Sequence, residues 1–120
     1  MKAGRRLGNM WNRRSKYGAV KQIYDGHRFD SIKEMNRYKE LKLLESAGEI
    51  SDLHLQYRFT LIESQKGKIR NERPLTYVAD FWYVKDGEVV VEDVKGMKTK
   101  EYIIKRKLMK YILGIEVVEI

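Results

Sequence analysis

The hydrophobic positions of this chain change their period along its length, and the changes mark its elements. Ile32, Met35, Tyr38, Leu41, Leu44 and Ala47 recur at helical spacing. Ser31-x-x-Glu34 ahead of that run is a capping-box pattern, and Gly48 is a C-terminal stop, so a first helix begins at Ser31. From Leu53 the period becomes two. Leu53, Leu55, Tyr57, Phe59 and Leu61 alternate with His54, Gln56, Arg58 and Thr60, the pattern of a strand. A polar loop over 63–74 ends at the only proline, and Leu75 to Val84, rich in Tyr, Val, Phe and Trp, predicts a second strand. Asp86-Gly87 is a strong hairpin signal, and Glu88 to Lys95 follows as a third strand. Thr99 can cap a second helix over 100–113, with Ile104, Leu108, Tyr111 and Ile112 on one face. Gly114 ends it, and Ile115 to Ile120 reads as a final strand. Upstream, Asp25-Gly26 sets a small hairpin of Ile23-Tyr24 with Arg28-Phe29. The order α-β-β-β-α-β predicts an α/β domain on a mixed sheet.

Composition narrows the chemistry. A length of 120 residues is one domain's worth of chain. The absence of cysteine excludes a disulfide scaffold, thiol catalysis and a thiolate zinc site. No apolar run approaches the ~20 residues of a membrane span. The N-terminus is charged from Lys2 onward, so an intracellular, cytoplasmic location without membrane association is expected. No Gly-x-Ser-x-Gly or Gly-x4-Gly-Lys motif occurs, which argues against a serine hydrolase and against a nucleotide cofactor. His27 and His54 have no second histidine at ligand spacing and read as surface or structural residues.

The charge is unevenly spread. The chain carries a net +8, and residues 1–28 hold eight basic residues against one acid, Asp25. Residues 1–22 have no sustained apolar period and read as a basic, flexible arm ahead of a domain over 23–120. Arg5, Arg6, Arg13, Arg14 and Lys16 of the arm, with Lys100, Arg106, Lys107 and Lys110 on a second face of the last helix, form the expected footprint of a nucleic acid.

The hairpin brings acids together. With Asp86-Gly87 as a two-residue loop, paired residue numbers sum to 173, and Asp80 faces Asp93 with Lys95 on the same side. A three-residue loop would shift the sum to 172 and set Glu92 opposite Asp80 instead. Two opposed carboxylates in an apolar hairpin repel, and a divalent cation between them is the simplest offset; oxygen donors of this kind suit magnesium or manganese. The acid-x-Lys pattern alone is weak, since it also occurs as Glu40-Leu41-Lys42. Glu34 aligns with Tyr38 and Leu41 and is a candidate site acid as well as a cap residue. Gln56 lies on the polar side of its strand.

Asp80 followed by Asp93-x-Lys95 after a hairpin, then a helix and a strand, resembles the PD-(D/E)xK nuclease superfamily. The segments that carry the resemblance are Phe29-Asp30-Ser31-x-x-Glu34, Glu49-Ile50-x-x-Leu53-x-Leu55-Gln56, Tyr77-x-Ala79-Asp80-Phe81 and Val91-Glu92-Asp93-Val94-Lys95-Gly96, within residues 24–120. They look like a group of small phage-encoded endonucleases related to Holliday-junction resolvases. Ala79 stands where the proline that names the superfamily would be. The resemblance implies a restriction-endonuclease-like α-β-β-β-α-β core with a mixed central sheet flanked by helices. It implies a magnesium-dependent DNA endonuclease, with manganese as a substitute, acting in DNA recombination in a phage context and hence in the host cytoplasm. Asp80, Asp93 and the Val94 carbonyl would be metal ligands, Lys95 the catalytic lysine, Glu34 a helix-borne acid joining the metal site, and Gln56 an amide beside it. A junction-resolving enzyme of this kind would be a homodimer, one site per cut strand. The alternatives are a catalytically inactive nucleic-acid-binding module on a nuclease fold and, more weakly supported, an RNA-binding regulatory protein.

Overall fold

The computed structural model describes residues 21–120, which divide into two compact units after Asn36. The expected arm residues Arg5, Arg6, Arg13, Arg14 and Lys16 lie outside the described residues.

In the first unit, β1 (Gln22–Tyr24) pairs antiparallel with β2 (His27–Phe29), Tyr24 opposite His27. The turn between them has Asp25 at φ 54° and Gly26 at φ 76°, the doubly left-handed geometry that tight hairpins favour. Helix α1 (Ile32–Ser46) starts in this unit and runs into the second. Ser31 Oγ accepts the Glu34 N–H at 3.1 Å. The returning bond departs from the expected capping box: Glu34 Oε1 accepts from the Asp30 N–H at 3.2 Å. The buried line along α1 is Glu34, Tyr38 and Leu41, whereas Ile32, Leu44 and Ala47 of the expected apolar stripe are exposed.

In the second unit, β3 (Ser51–Ile62), β4 (Leu75–Lys85), β5 (Glu88–Asp93) and β6 (Val118–Glu119) form one sheet in that spatial order. The first three are antiparallel neighbours, and β6 joins β5 in parallel. The molecule is therefore α/β with a mixed sheet of four strands and two helices. Asp86 and Gly87 turn at φ 52° and 78°, and the β4–β5 pairs, from Phe81↔Glu92 to Lys85↔Glu88, obey the sum of 173. That register separates Glu92 from Asp93: Glu92 stands opposite Phe81, and one position further the Asp80 N–H reaches Asp93 Oδ1. The third strand ends at Asp93, so Val94 and Lys95 follow it, and the last strand shrinks to two residues.

Helix α2 (Lys100–Leu113) is capped by Thr99 Oγ1, which accepts the Tyr102 N–H at 3.1 Å. Its C-terminus closes on Gly114 at φ 71°. Its buried residues are Tyr102 and Met109, which join Leu61, Tyr77, Ala79, Val91 and Val117 in the core. The expected apolar face is therefore corrected: Leu108 packs on this core, but Ile104, Tyr111 and Ile112 face outward. The helix is turned so that half-buried Lys105 and Arg106 lie over the core side, where long stems cover apolar surface while the charged heads find partners.

Besides the register shifts of β3 between Ser51 and His54 and between Thr60 and Ile62, alternation breaks at facing positions of the first two long strands. Gln56 sits at φ 52°, left-handed backbone in the middle of β3, between the Leu55↔Phe81 and Tyr57↔Ala79 pairs that bracket Asp80. Strict alternation would put His54 and Tyr57, three apart, on opposite faces. Instead their rings meet at 5.8 Å, and both contact Trp82. On β4, Ala79 and Trp82, also three apart, both reach the same core cluster. The sheet is thus kinked where Gln56 faces Asp80.

Candidate active site

The kink and the hairpin register converge on the acids. Asp93, at the end of β5, is fully buried. Asp80, on β4, is half-buried. The two are joined through backbone: the Asp80 N–H donates to Asp93 Oδ1 at 3.4 Å, and Asp80 Oδ2 accepts the Val94 N–H at 2.8 Å. Gln56 Nε2 donates to Asp80 Oδ1 at 3.2 Å, so each oxygen of Asp80 has a donor. Lys95 Nζ lies 3.6 Å from Asp93 Oδ2. Asp80, Asp93, Lys95 and Gln56, picked out by sequence, thus meet at one place, with Val94 between the acid and the lysine. Glu34 is buried in the first turn of α1 in the other unit, bonded to the Asp30 backbone.

Burial pushes the Asp93 carboxyl up to about 6, and Lys95 and the Asp80 N–H hold it from rising further. Perturbed carboxyls of this kind cluster at functional sites, and structural ion pairs perturb them as well. Tyr77, on β4, donates its hydroxyl to Asp93 Oδ2. Lys95 is held over the Tyr102 ring, 4.5 Å from its centroid. Tyr102 in turn donates to Glu119 Oε2 at 2.7 Å, and Arg106 Nη1 donates to the same oxygen at 2.9 Å.

Sequence patterning does not single out Tyr77 or Tyr102. The one signal it holds is that a tyrosine in a buried run must find a partner for its hydroxyl. Glu92, in the sequence only a substitute for Asp93, has a separate place. Its carboxylate takes a fork from Arg37 of α1, Nε at 2.8 Å and Nη2 at 2.6 Å, and the Tyr83 hydroxyl at 2.5 Å. That buried, fully bonded pair ties α1 to the sheet. Burial and the bond to Glu92 push the Tyr83 hydroxyl up to about 12.

The basic face of α2 is only partly as expected. Arg106, Lys107 and Lys110 line a groove of about 600 Å³ with Tyr111, Glu116, Val117 and Glu119. Arg106 is committed to Glu119, and Lys110 lies 3.8 Å from Glu116, so acids share this surface with the cations. Lys100, at the start of the helix, does not line the groove.

Among the described residues, no three His, Cys, Asp or Glu side chains gather as a metal-holding group. No helix among them is long and apolar enough to cross a membrane. No curated protein and no solved structure matches the chain significantly. A family model does match, over residues 14–115, and by that match the chain belongs to DUF1064, a family of proteins of unknown function.

Proposed function

We propose that the protein is a magnesium-dependent DNA endonuclease with a restriction-endonuclease-like core. The observation that carries this reading is the meeting of Asp80, Asp93 and Lys95 beside Gln56, at the end of the hairpin strand and at the kink of the sheet. A structural ion pair needs only Asp93 and Lys95, whereas here a second carboxylate, Asp80, is held beside them by the Val94 N–H and the Gln56 amide.

The donor set fits magnesium. That ion keeps several waters and is held by one or two carboxylates together with substrate phosphate, rather than by an all-protein cage. Asp80 and Asp93 would hold it, with the Val94 carbonyl as a further oxygen and manganese as a substitute. When bound, the ion would polarise the scissile phosphate and acidify a water.

The chain's own residues prepare the place. The Val94 N–H and the Gln56 amide each fix one oxygen of Asp80, which sets the direction in which its remaining lone pairs point. Tyr77 fixes Asp93 from the buried side. Lys95 is a compact positive charge on the Tyr102 face, placed to stabilise charge that develops on a phosphoryl group or to orient the attacking water.

The test is incubation with a labelled four-way junction and its matched duplex, with and without magnesium. Cleavage that needs the metal and is lost in Asp80→Asn supports the reading. Intact DNA in magnesium and in manganese, under conditions where the protein binds it, would overturn it in favour of a binding module.

A further inference from the structure

Beside the acids lies an aromatic cluster that the proposed chemistry does not use. On the edge strand β3, Tyr57 stacks on Trp82 of β4, with ring centroids 5.6 Å apart and planes inclined by 28°. His54 meets the Trp82 ring edge-on at 4.7 Å, and Phe59 meets Tyr57 at 4.8 Å. Trp82 is half-buried and forms the floor, while Tyr57 is 39% exposed and His54 is exposed. Packing alone would favour burying the tyrosine and tryptophan faces, yet Tyr57, next to the left-handed Gln56, stays exposed on the edge strand.

The same residue ties the cluster to the acids. Gln56, next to Tyr57, bonds Asp80, and Asp80 is two residues from Trp82, about 7 Å along the strand. We infer that Tyr57, backed by Trp82 and His54, is a stacking platform for an unpaired base of the nucleic acid whose backbone lies at Asp80 and Asp93. Every base offers a π-face, so such a platform accepts any sequence. In an intact duplex those faces are already stacked, so the platform selects single-stranded or branched DNA. A nucleic acid suits it better than a protein partner because the same chain carries, in its first 28 residues, nearly all of a net +8, the charge that meets a polyanion. The inference rests on the endonuclease reading for its substrate, but it concerns binding and can fail separately.

The experiment uses the full chain carrying Trp11→Phe, which leaves Trp82 as the sole tryptophan. Its fluorescence is titrated in EDTA with a thymidine oligonucleotide and with a blunt duplex. Saturable quenching by the single strand, much weaker with the duplex, is expected. Tyr57→Ala should weaken single-strand binding about tenfold, some 1.4 kcal/mol, and leave duplex affinity within twofold, while Tyr57→Phe retains wild-type affinity. If Tyr57→Ala does not fold, quenching in the Trp11→Phe chain decides the matter. Unchanged fluorescence on binding, or equal losses on both DNAs, would overturn the platform. Magnesium-dependent cleavage without any Trp82 response would overturn it and leave the endonuclease reading in place. Quenching without cleavage would support the platform and remove the nuclease.

Discussion

Asp93 is the residue whose environment is most costly without a compensating ligand. It is fully buried, the Lys95 ammonium lies 3.6 Å away, and the Asp80 backbone N–H donates to it. A neutral amide at this position keeps one acceptor oxygen, for the Asp80 N–H, turns its NH2 to the Tyr77 hydroxyl, which can accept in its place, and removes the buried charge. Asp93→Asn is therefore expected to keep or raise the melting temperature of the metal-free protein at neutral pH, and Asp80→Asn to change it little. Both should abolish DNA cleavage while leaving DNA binding intact. A clear fall in the Asp93→Asn melting temperature would mean that the carboxylate is a structural partner of Lys95 rather than a site acid. Either variant cleaving as fast as wild type at saturating magnesium would remove that residue from the proposed reaction. The approach of these two acids is legible in the sequence, because Asp86-Gly87 specifies a two-residue turn, the turn fixes the pairs as far as Phe81↔Glu92, and one position further the Asp80 N–H reaches Asp93. Tyr77 and Tyr102 are not legible, because a hydroxyl's partner is set by the tertiary fold and nothing local distinguishes a tyrosine that reaches an acid from one that reaches water.

At the scale of the elements, the position and type of each helix and strand follow from period and caps, and the departures share one cause. An apolar stripe says that a helix has a buried side but not how the helix is rolled on its sheet. In α2 the side chosen by packing is Tyr102 and Met109, with Arg106 drawn over by Glu119, and Ile104 and Tyr111 are left outside. In β3 the sequence alternates without a break, but Gln56 adopts φ 52°. Glutamine is no stronger a signal for that conformation than many residues, so pattern alone does not reveal the kink. The kink gives an inverted expectation for a strand. Valine is a good strand residue, yet a β-branched side chain is strained at positive φ, so Gln56→Val should destabilise the protein by about 1–2 kcal/mol. Gln56→Gly, normally harmful in a strand, should be neutral or stabilising by up to about 1 kcal/mol, because only glycine takes this backbone at no steric cost. Urea unfolding of the two variants decides it. Valine tolerated better than glycine would mean that β3 relaxes to regular alternation. In that case position 56 of the variant would no longer lie against Asp80.

Across the whole molecule, charge is organised at two ends of the chain. The first 28 residues carry nearly all of the net +8. Deleting residues 1–16 should flatten the dependence of log binding on log salt by about 0.9 for each phosphate that the arm no longer neutralises, with little effect on the unfolding midpoint. An unchanged slope would make the arm a mere tail. At the other end, Glu119 closes the fold. It lies on the two-residue strand β6 and gathers Tyr102 and Arg106 of α2 and Lys98 ahead of it, at 2.7, 2.9 and 3.0 Å. The Tyr102 hydroxyl, then Arg106 and Lys98, pull its carboxyl down to about 2 from the usual 4.5. The folded state therefore holds the ionised form more tightly than the unfolded chain does. Its contribution to stability is fully present above about pH 4.5, shrinks as the pH falls because the unfolded chain takes up the proton first, and is gone below about pH 2. Glu119→Gln cannot lose what it lacks. The wild type should be the more stable at pH 6, and the two proteins should converge as the pH is lowered through that window, measured by urea unfolding at each pH. Parallel curves, with a constant gap from pH 6 to pH 2.5, would mean that Glu119 acts through its hydrogen bonds alone. The same substitution frees Arg106 and loosens the hydroxyl of Tyr102, whose ring carries Lys95, so the stability of the last strand and the posture of the site lysine are set by one carboxylate.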